Sequence, residues 1–138
     1  MNQFIIPGRL PGLNEYTEAN RSGWQAGARL KKDTEAFIRF SIRNARNRGL
    51  CWPVQGAAAI VFEWQERNRL RDLDNIFFAK KFVLDSMVAE KIIKGDSQRY
   101  VRILADSFQV GETDQVIVKI ILLEGKENGN QEREQRGD

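Results

Sequence analysis

Three aspartates carry the residue chemistry that stands out in this chain. Asp72 and Asp74 lie in Arg71-Asp72-Leu73-Asp74-Asn75, and Asp96 lies in Lys94-Gly95-Asp96-Ser97-Gln98. Carboxylates two residues apart on an extended segment point to the same side. Two of them 4 Å apart repel by about 4 kcal/mol at an effective dielectric of 20, and a third worsens the repulsion. A divalent cation turns that repulsion into attraction. It also activates a water, polarises a phosphoryl oxygen and stabilises a leaving oxygen. Asp72, Asp74 and Asp96 are therefore the candidate metal ligands and catalytic groups, with phosphodiester hydrolysis as the reaction. Taken singly, each has a plainer reading: Asp74 as a helix N-cap, and Asp72 as an acid favoured by the helix dipole.

Composition narrows the choice of metal and of mechanism. The 138 residues contain no histidine and one cysteine, Cys51. Ser-His-Asp and Cys-His nucleophile systems are excluded, as is a zinc site built on imidazole or several thiolates. A bound metal must be held by oxygen, which favours Mg²⁺, with Mn²⁺ as a substitute. An EF-hand is excluded too: counted from Asp72, its glycine position is Phe77 and its closing glutamate position is Val83. The lone thiol, and an N-terminus without a long apolar stretch, fit a cytoplasmic protein with no membrane partner and no organic cofactor. Residues 21 to 48 hold eight basic and two acidic side chains, a net +6 that would attract a polyanion such as DNA. The bland alternative is a solvated helix face.

The elements that must position the aspartates follow from periodicity. Residues 2 to 6 read as a strand and Pro7 to Asn14 as a Pro/Gly-rich loop. A long helix starts near Ser22 or Trp24 and ends at Gly49. Its buried stripe is Leu30, Thr34, Phe37, Ile38, Ser41, Ile42 and Ala45, with Lys32, Arg39, Arg43 and Arg46 on another face. Residues 54 to 65 read as a central strand, followed by the charged loop Glu66 to Arg71. A second helix runs from Asp74 to Ala89, with Asp74 or Asn75 as N-cap. Tyr100 to Val110 and Gln115 to Leu123 read as a hairpin turned at Gly111-Glu112-Thr113-Asp114. The expectation is a single α+β domain over residues 1–124: a small, mostly antiparallel mixed sheet of about four strands packed with two main helices. Residues 125–138 read as a polar, disordered tail.

The helix between Asp74 and Asp96 is about 24 Å long. The three acids meet only if the strand from Arg99 onward, pairing with the strand that ends near Glu66, brings Asp96 back. Within the helix, Lys81 shares a stripe with Asp74 and Asp85, and Lys80 lies about 100° around the axis. A Lys81–Asp85 ion pair is the plain reading; a lysine stabilising charge at a scissile phosphate is the functional one.

The run Asp72-x-Asp74-Asn75, a lysine, Leu84-Asp85 and Asp96-x-Gln98 resembles the RusA family of Holliday junction resolvases. Ile6-Pro7-Gly8, Leu13-Asn14 and Lys31-Lys32 extend the likeness, which covers about residues 3 to 123. The resemblance implies a homodimeric, Mg²⁺- or Mn²⁺-dependent endonuclease that nicks branched DNA, the four-way junction, symmetrically and leaves 5′-phosphate and 3′-hydroxyl ends. It implies Asp72, Asp74, Asp96 and Lys81 as catalytic residues and Arg71 as a DNA contact. Further DNA contacts are expected from Arg67, Arg69, Lys31, Lys32 and Lys80. The chain departs from the pattern in two places. The stretch from Asn75 to Leu84-Asp85 is about one turn longer, which leaves Lys80 as a rival to Lys81, and Gly95-Asp96 replaces two adjacent acids. Two rival classes stand beside this reading: a non-catalytic junction-binding module, and a metal-dependent nuclease acting on flaps, forks or RNA.

Overall fold

The computed structural model describes residues 1–127. Its elements run β1 (Gln3–Pro7), α1 (Leu13–Ser22), α2 (Trp24–Asn47), β2 (Val54–Glu66), α3 (Leu73–Phe77), α4 (Lys80–Ala89), β3 (Val101–Val110) and β4 (Gln115–Glu127). The strands form one mixed sheet in the order β1-β4-β2-β3. The protein is thus an α+β domain with two antiparallel pairings, β1–β4 and β4–β2, and one parallel pairing, β2–β3.

The parallel pairing corrects the expected hairpin. β3 and β4 flank β2 and do not pair with each other. The turn Gly111 to Asp114 crosses over the end of β2, where the Gly111 amide donates to the Glu66 carbonyl (3.0 Å) and the Arg67 amide donates to Asp114 Oδ1 (2.9 Å). The turn residues signalled a reversal correctly. Turn chemistry alone does not say whether another strand lies between the two arms. The expected tail also starts later: β4 continues through Glu127, where Val54 pairs with Glu127 and Gln55 with Lys126. Residues 128–138 lie outside the described residues.

Alternation along the strands sorts the sheet into two faces. Phe4, Ile6, Ile60, Phe62, Trp64, Val116, Val118 and Ile120 are buried against α2 and α4, where Ile38, Ile42, Phe82, Val83 and Met87 complete the core. On the other face Ile5, Ile103, Ile121 and Leu123 are half-exposed.

The long helix is α2. It closes on Gly49 at φ 74°, with the Leu50 amide bonding to Ala45 O (2.9 Å) and the Gly49 amide to Arg46 O (3.0 Å). This is the paired bond pattern that a left-handed C′ glycine permits. Its buried stripe holds Thr34, Ile38, Ser41, Ile42 and Ala45 as expected, together with Gly27, whereas Phe37 turns outward. The Pro/Gly-rich segment is a loop only as far as Gly12, and α1 follows it. The second expected helix divides at Phe78 and Ala79, where the ladder tightens to i→i+3 bonds from Ala79 to Ile76 O and Lys81 to Phe78 O (3.4 Å each).

The basic stripe of α2 is an internal tie. Arg39 Nε donates to Glu90 Oε2 (2.7 Å), Arg43 Nε to Glu90 Oε1 (2.9 Å), and Arg46 to both Glu90 Oε1 (3.1 Å) and the Glu90 carbonyl (2.7 Å). The Glu90 side chain is only 4% exposed. Burial pushes its carboxyl up, but the hydrogen bonds from Arg43 and Arg39 outweigh burial and hold it below the ordinary value of 4.5. A carboxylate held low adds stability that is present above its ordinary range and is lost as pH falls through the lowered value. Glu90→Gln is therefore expected to lower unfolding free energy by about 1–3 kcal/mol at pH 7. Denaturant titrations should show the gap from wild type constant down to about pH 5 and closing below that.

Candidate functional site

Asp72 and Asp74 stand at the C-terminal end of β2, on a segment clamped from both sides. Glu66, the last residue of β2, is buried and pairs with Arg71 through two bonds: one from Nε to Oε1 (3.1 Å) and a short one from Nη2 to Oε2. Arg71 Nη1 also reaches the Leu10 carbonyl (3.4 Å). The charged loop between Glu66 and Arg71 is thus stapled at its base, and Asp72 follows immediately. Asp72, in extended conformation (φ −66°, ψ 152°), is the N-cap of α3 but makes no side-chain capping bond. Asp74 lies in the first turn, so neither Asp74 nor Asn75 is the cap. Asn75 Oδ1 accepts from the Asn14 amide instead (3.0 Å), fastening α3 to the start of α1. Gly12 makes this approach possible, since a Cβ there would lie 2.6 Å from the Asn75 carbonyl oxygen.

Asp72 and Asp74 are exposed, and neither has a cationic partner within 4.0 Å among the described residues; the same holds for Asp96. Their all-oxygen chemistry and unneutralised charge suit a hard divalent cation. Two carboxylates leave most of such an ion's coordination shell to water and substrate oxygens, as Mg²⁺ sites commonly do.

Asp96 does not join them within one chain. β2 and β3 run parallel, with Ala58 opposite Val101 and Glu66 opposite Val110. Asp96 precedes Val101, held there by a turn in which the Tyr100 and Val101 amides both bond to Ser97 O (2.9 Å each). It therefore sits at the starting end of β2, whereas Asp72 follows its finishing end, about 26 Å along the strand at ~3.3 Å per residue. The anticipated β2–β3 pairing is present, but its direction separates the acids. Among the described residues no three acidic, histidine or cysteine side chains cluster as a metal group.

The two candidate lysines part company. Lys81 is exposed and pairs with Asp85 (3.6 Å), which also receives Lys31 (3.8 Å). Lys80 turns inward: its Nζ donates to Asp106 Oδ2 (2.5 Å) and lies over the rings of Phe77 (4.8 Å) and Phe62 (5.7 Å). The Trp64 indole N–H donates to the other oxygen of Asp106 (2.8 Å). Lys80 is thus a strut between α4 and β3. Its partner Asp106 had no signal in the sequence beyond being a charge inside a strand.

Of the expected DNA contacts, Arg69 and Lys32 are exposed without ion-pair partners among the described residues, whereas Arg67 pairs with Asp114 (3.5 Å) and Arg71 is spent on Glu66. A second basic cluster lies outside the expected DNA contacts. Lys94, Arg99, Tyr100 and Arg102, which flank Asp96 in the chain, border an open depression of about 490 Å³, with Arg99 against the Tyr100 ring (5.6 Å) and Arg102 paired with Glu124 (2.9 Å). The signal for it was the Lys94, Arg99 and Arg102 spacing around Asp96.

No helix among the described residues is long and apolar enough to cross a membrane. No protein-family model matches the chain, and no significant match is found among curated proteins.

The staple makes a prediction that separates structure from DNA contact. Arg71→Ala leaves Glu66 buried without its cation and is expected to cost about 3 kcal/mol or more of unfolding free energy. Urea denaturation without DNA reads this directly. Unchanged stability would mean that the Glu66 pair does not hold the loop.

Proposed function

We propose that the protein is a divalent-metal-dependent endonuclease that nicks four-way DNA junctions as a homodimer, with each site completed across the dimer. The observation that carries the reading is the pair Asp72 and Asp74. These exposed, unneutralised carboxylates are held by the Glu66–Arg71 staple and the Asn75 tether, next to a loop that presents exposed Arg69. The sequence resemblance adds Asp96 to that pair, and topology states what is needed to bring it there. β3 is an edge strand of ten residues with exposed Ile103, Leu104 and Val110. Such an edge is a template for strand addition. Two copies joined antiparallel through β3 about a two-fold axis set the start of one β3 beside the end of the other. Asp96 of each copy then approaches Asp72 and Asp74 of its mate, bringing the Lys94 and Arg99 cluster with it.

A bound Mg²⁺ or Mn²⁺ would supply water activation and charge neutralisation at the phosphate. The chain's own groups bind and position. Asp72, Asp74 and the mate's Asp96 would hold the cation. Arg69, Lys94 and Arg99 hold phosphates without reading sequence. The Glu66–Arg71 pair fixes the loop. Water oxygen bonds to phosphorus as the bond to the 3′ oxygen breaks, leaving a 5′-phosphate and a 3′-hydroxyl. Lys81, at the solvent side of α4, is a candidate for charge stabilisation only when DNA draws it from Asp85. A non-catalytic junction-binding module is the second reading, favoured by the separation of Asp96 from the other two acids within one chain.

The test uses a synthetic mobile junction and a linear duplex of the same sequence, with Mg²⁺, Mn²⁺ or chelator. The expected result is paired nicks in the junction alone, abolished by chelator and reduced at least a hundredfold in Asp74→Asn. Tight binding without metal-dependent nicking would establish the binding module instead.

A further inference from the structure

Beside the acidic pair lies a cleft of about 190 Å³ between the ends of β2 and β3 and the start of α3. Its apolar lining comes from Trp64, Phe108, Leu73 and Ile76, and its polar lining includes Asn68 and Gln109. We propose that this cleft takes one unstacked nucleobase of the DNA strand whose phosphate lies at Asp72 and Asp74. The inference rests on the reading of the protein as a junction nuclease and adds a base-recognition site to it.

Size, preorganisation and placement point to this occupant. The cleft is smaller than the roughly 300–1,000 Å³ pockets that enclose drug-sized ligands, and suits one flat ring. Its floor is fixed before anything binds. The Trp64 indole is bonded to Asp106 and stacked on Phe62 at 5.6 Å and 10°, and Asp106 is in turn held by Lys80. This gives the Lys80–Asp106–Trp64 network a purpose besides packing. Asn68 and Gln109 offer amide donors and acceptors to a base edge; Asn68 Oδ1 is engaged by the Leu70 amide (3.0 Å), which leaves its NH₂ group to donate. Arg71 and Leu73, which flank Asp72, both line the cleft, and Arg69 stands at its rim. A strand whose phosphate reaches the acids therefore carries its adjacent base past the opening. The exchange point of a junction is where pairing and stacking are weakest, so extrusion costs least there.

A thermodynamic cycle tests it. The full-length protein is given junctions that differ only in having an abasic residue at one or the other nucleotide flanking the mapped nick. Wild type is compared with Phe108→Leu, which keeps apolar bulk but removes the ring, and with Leu73→Ala at a half-exposed position that the fold tolerates. Base removal on one side of the nick is expected to lower wild-type kcat/KM about tenfold, within the range that ring–base stacking supplies. Each variant should lose a comparable factor on the intact junction and nothing more on the abasic one. Equal wild-type rates on intact and abasic junctions would overturn the proposal, as would losses in the variants that multiply independently with base removal. A wild type that shows no metal-dependent nicking of the intact junction would instead overturn the functional reading, and this inference with it.

Discussion

The parallel ladder between β2 and β3 is the constraint on which the rest of the molecule depends. A strand joined to a parallel neighbour must send its chain back across the sheet, and here α3 and α4 make that return over the core face. The crossover contributes Phe82, Val83 and Met87 to the same buried core cluster as Ile60 and Phe62. It also fixes polarity: whatever precedes the helices lies at one end of the sheet, and whatever follows lies at the other. Asp72 and Asp74 precede; Asp96 follows. Their separation is a consequence of topology, and side-chain rotation cannot repair it.

Charge in this protein is divided between structure and surface. Three arginines of α2 converge on buried Glu90 at the end of α4, so three of the eight basic side chains in the most basic stretch tie helix to helix. Arg71 and Lys80 are likewise consumed by Glu66 and Asp106. Buried pairs of this kind add little net stability over apolar packing, but they fix geometry, because losing one partner strands the other. Among the described residues, the exposed basic side chains without an ion-pair partner include Lys32 and Arg69 from the expected residues, Arg29, Arg48 and Lys91, and Lys94 and Arg99 near Asp96 in the chain. Lys94 and Arg99 lie at the end of the sheet opposite to Asp72 and Asp74.

Much of this architecture is legible in residue patterns. The apolar period of α2, its Gly49 stop and the apolar run of β2 each follow from local physics, and each stands in the structure within a few residues. The α+β class follows from the order of elements. What local pattern does not carry is strand direction. Gly111 to Asp114 has the chemistry of a turn whether or not β2 lies between its arms, so a hairpin and a split pair read alike. Ion-pair partners are equally hidden. Nothing near Arg39 or Lys80 in sequence announces Glu90 or Asp106, which lie 51 and 26 residues away. The Asp72-x-Asp74 pair was legible because its spacing is local. Its relation to Asp96 was not, since that depends on the direction of a strand.

On the proposed function, the acids on either side of the crossover work together only between two copies. Mixing Asp74→Asn with Asp96→Asn protein, after dissociation and reassociation, tests this directly. Each variant alone should be inactive. In an equal mixture about half the dimers are mixed, and each mixed dimer holds one site in which both acids are intact, so single-strand nicking should return to about a quarter of the wild-type level. A mixture as inactive as its components would rule out sharing between copies, because it would mean that all the required acids act within a single chain.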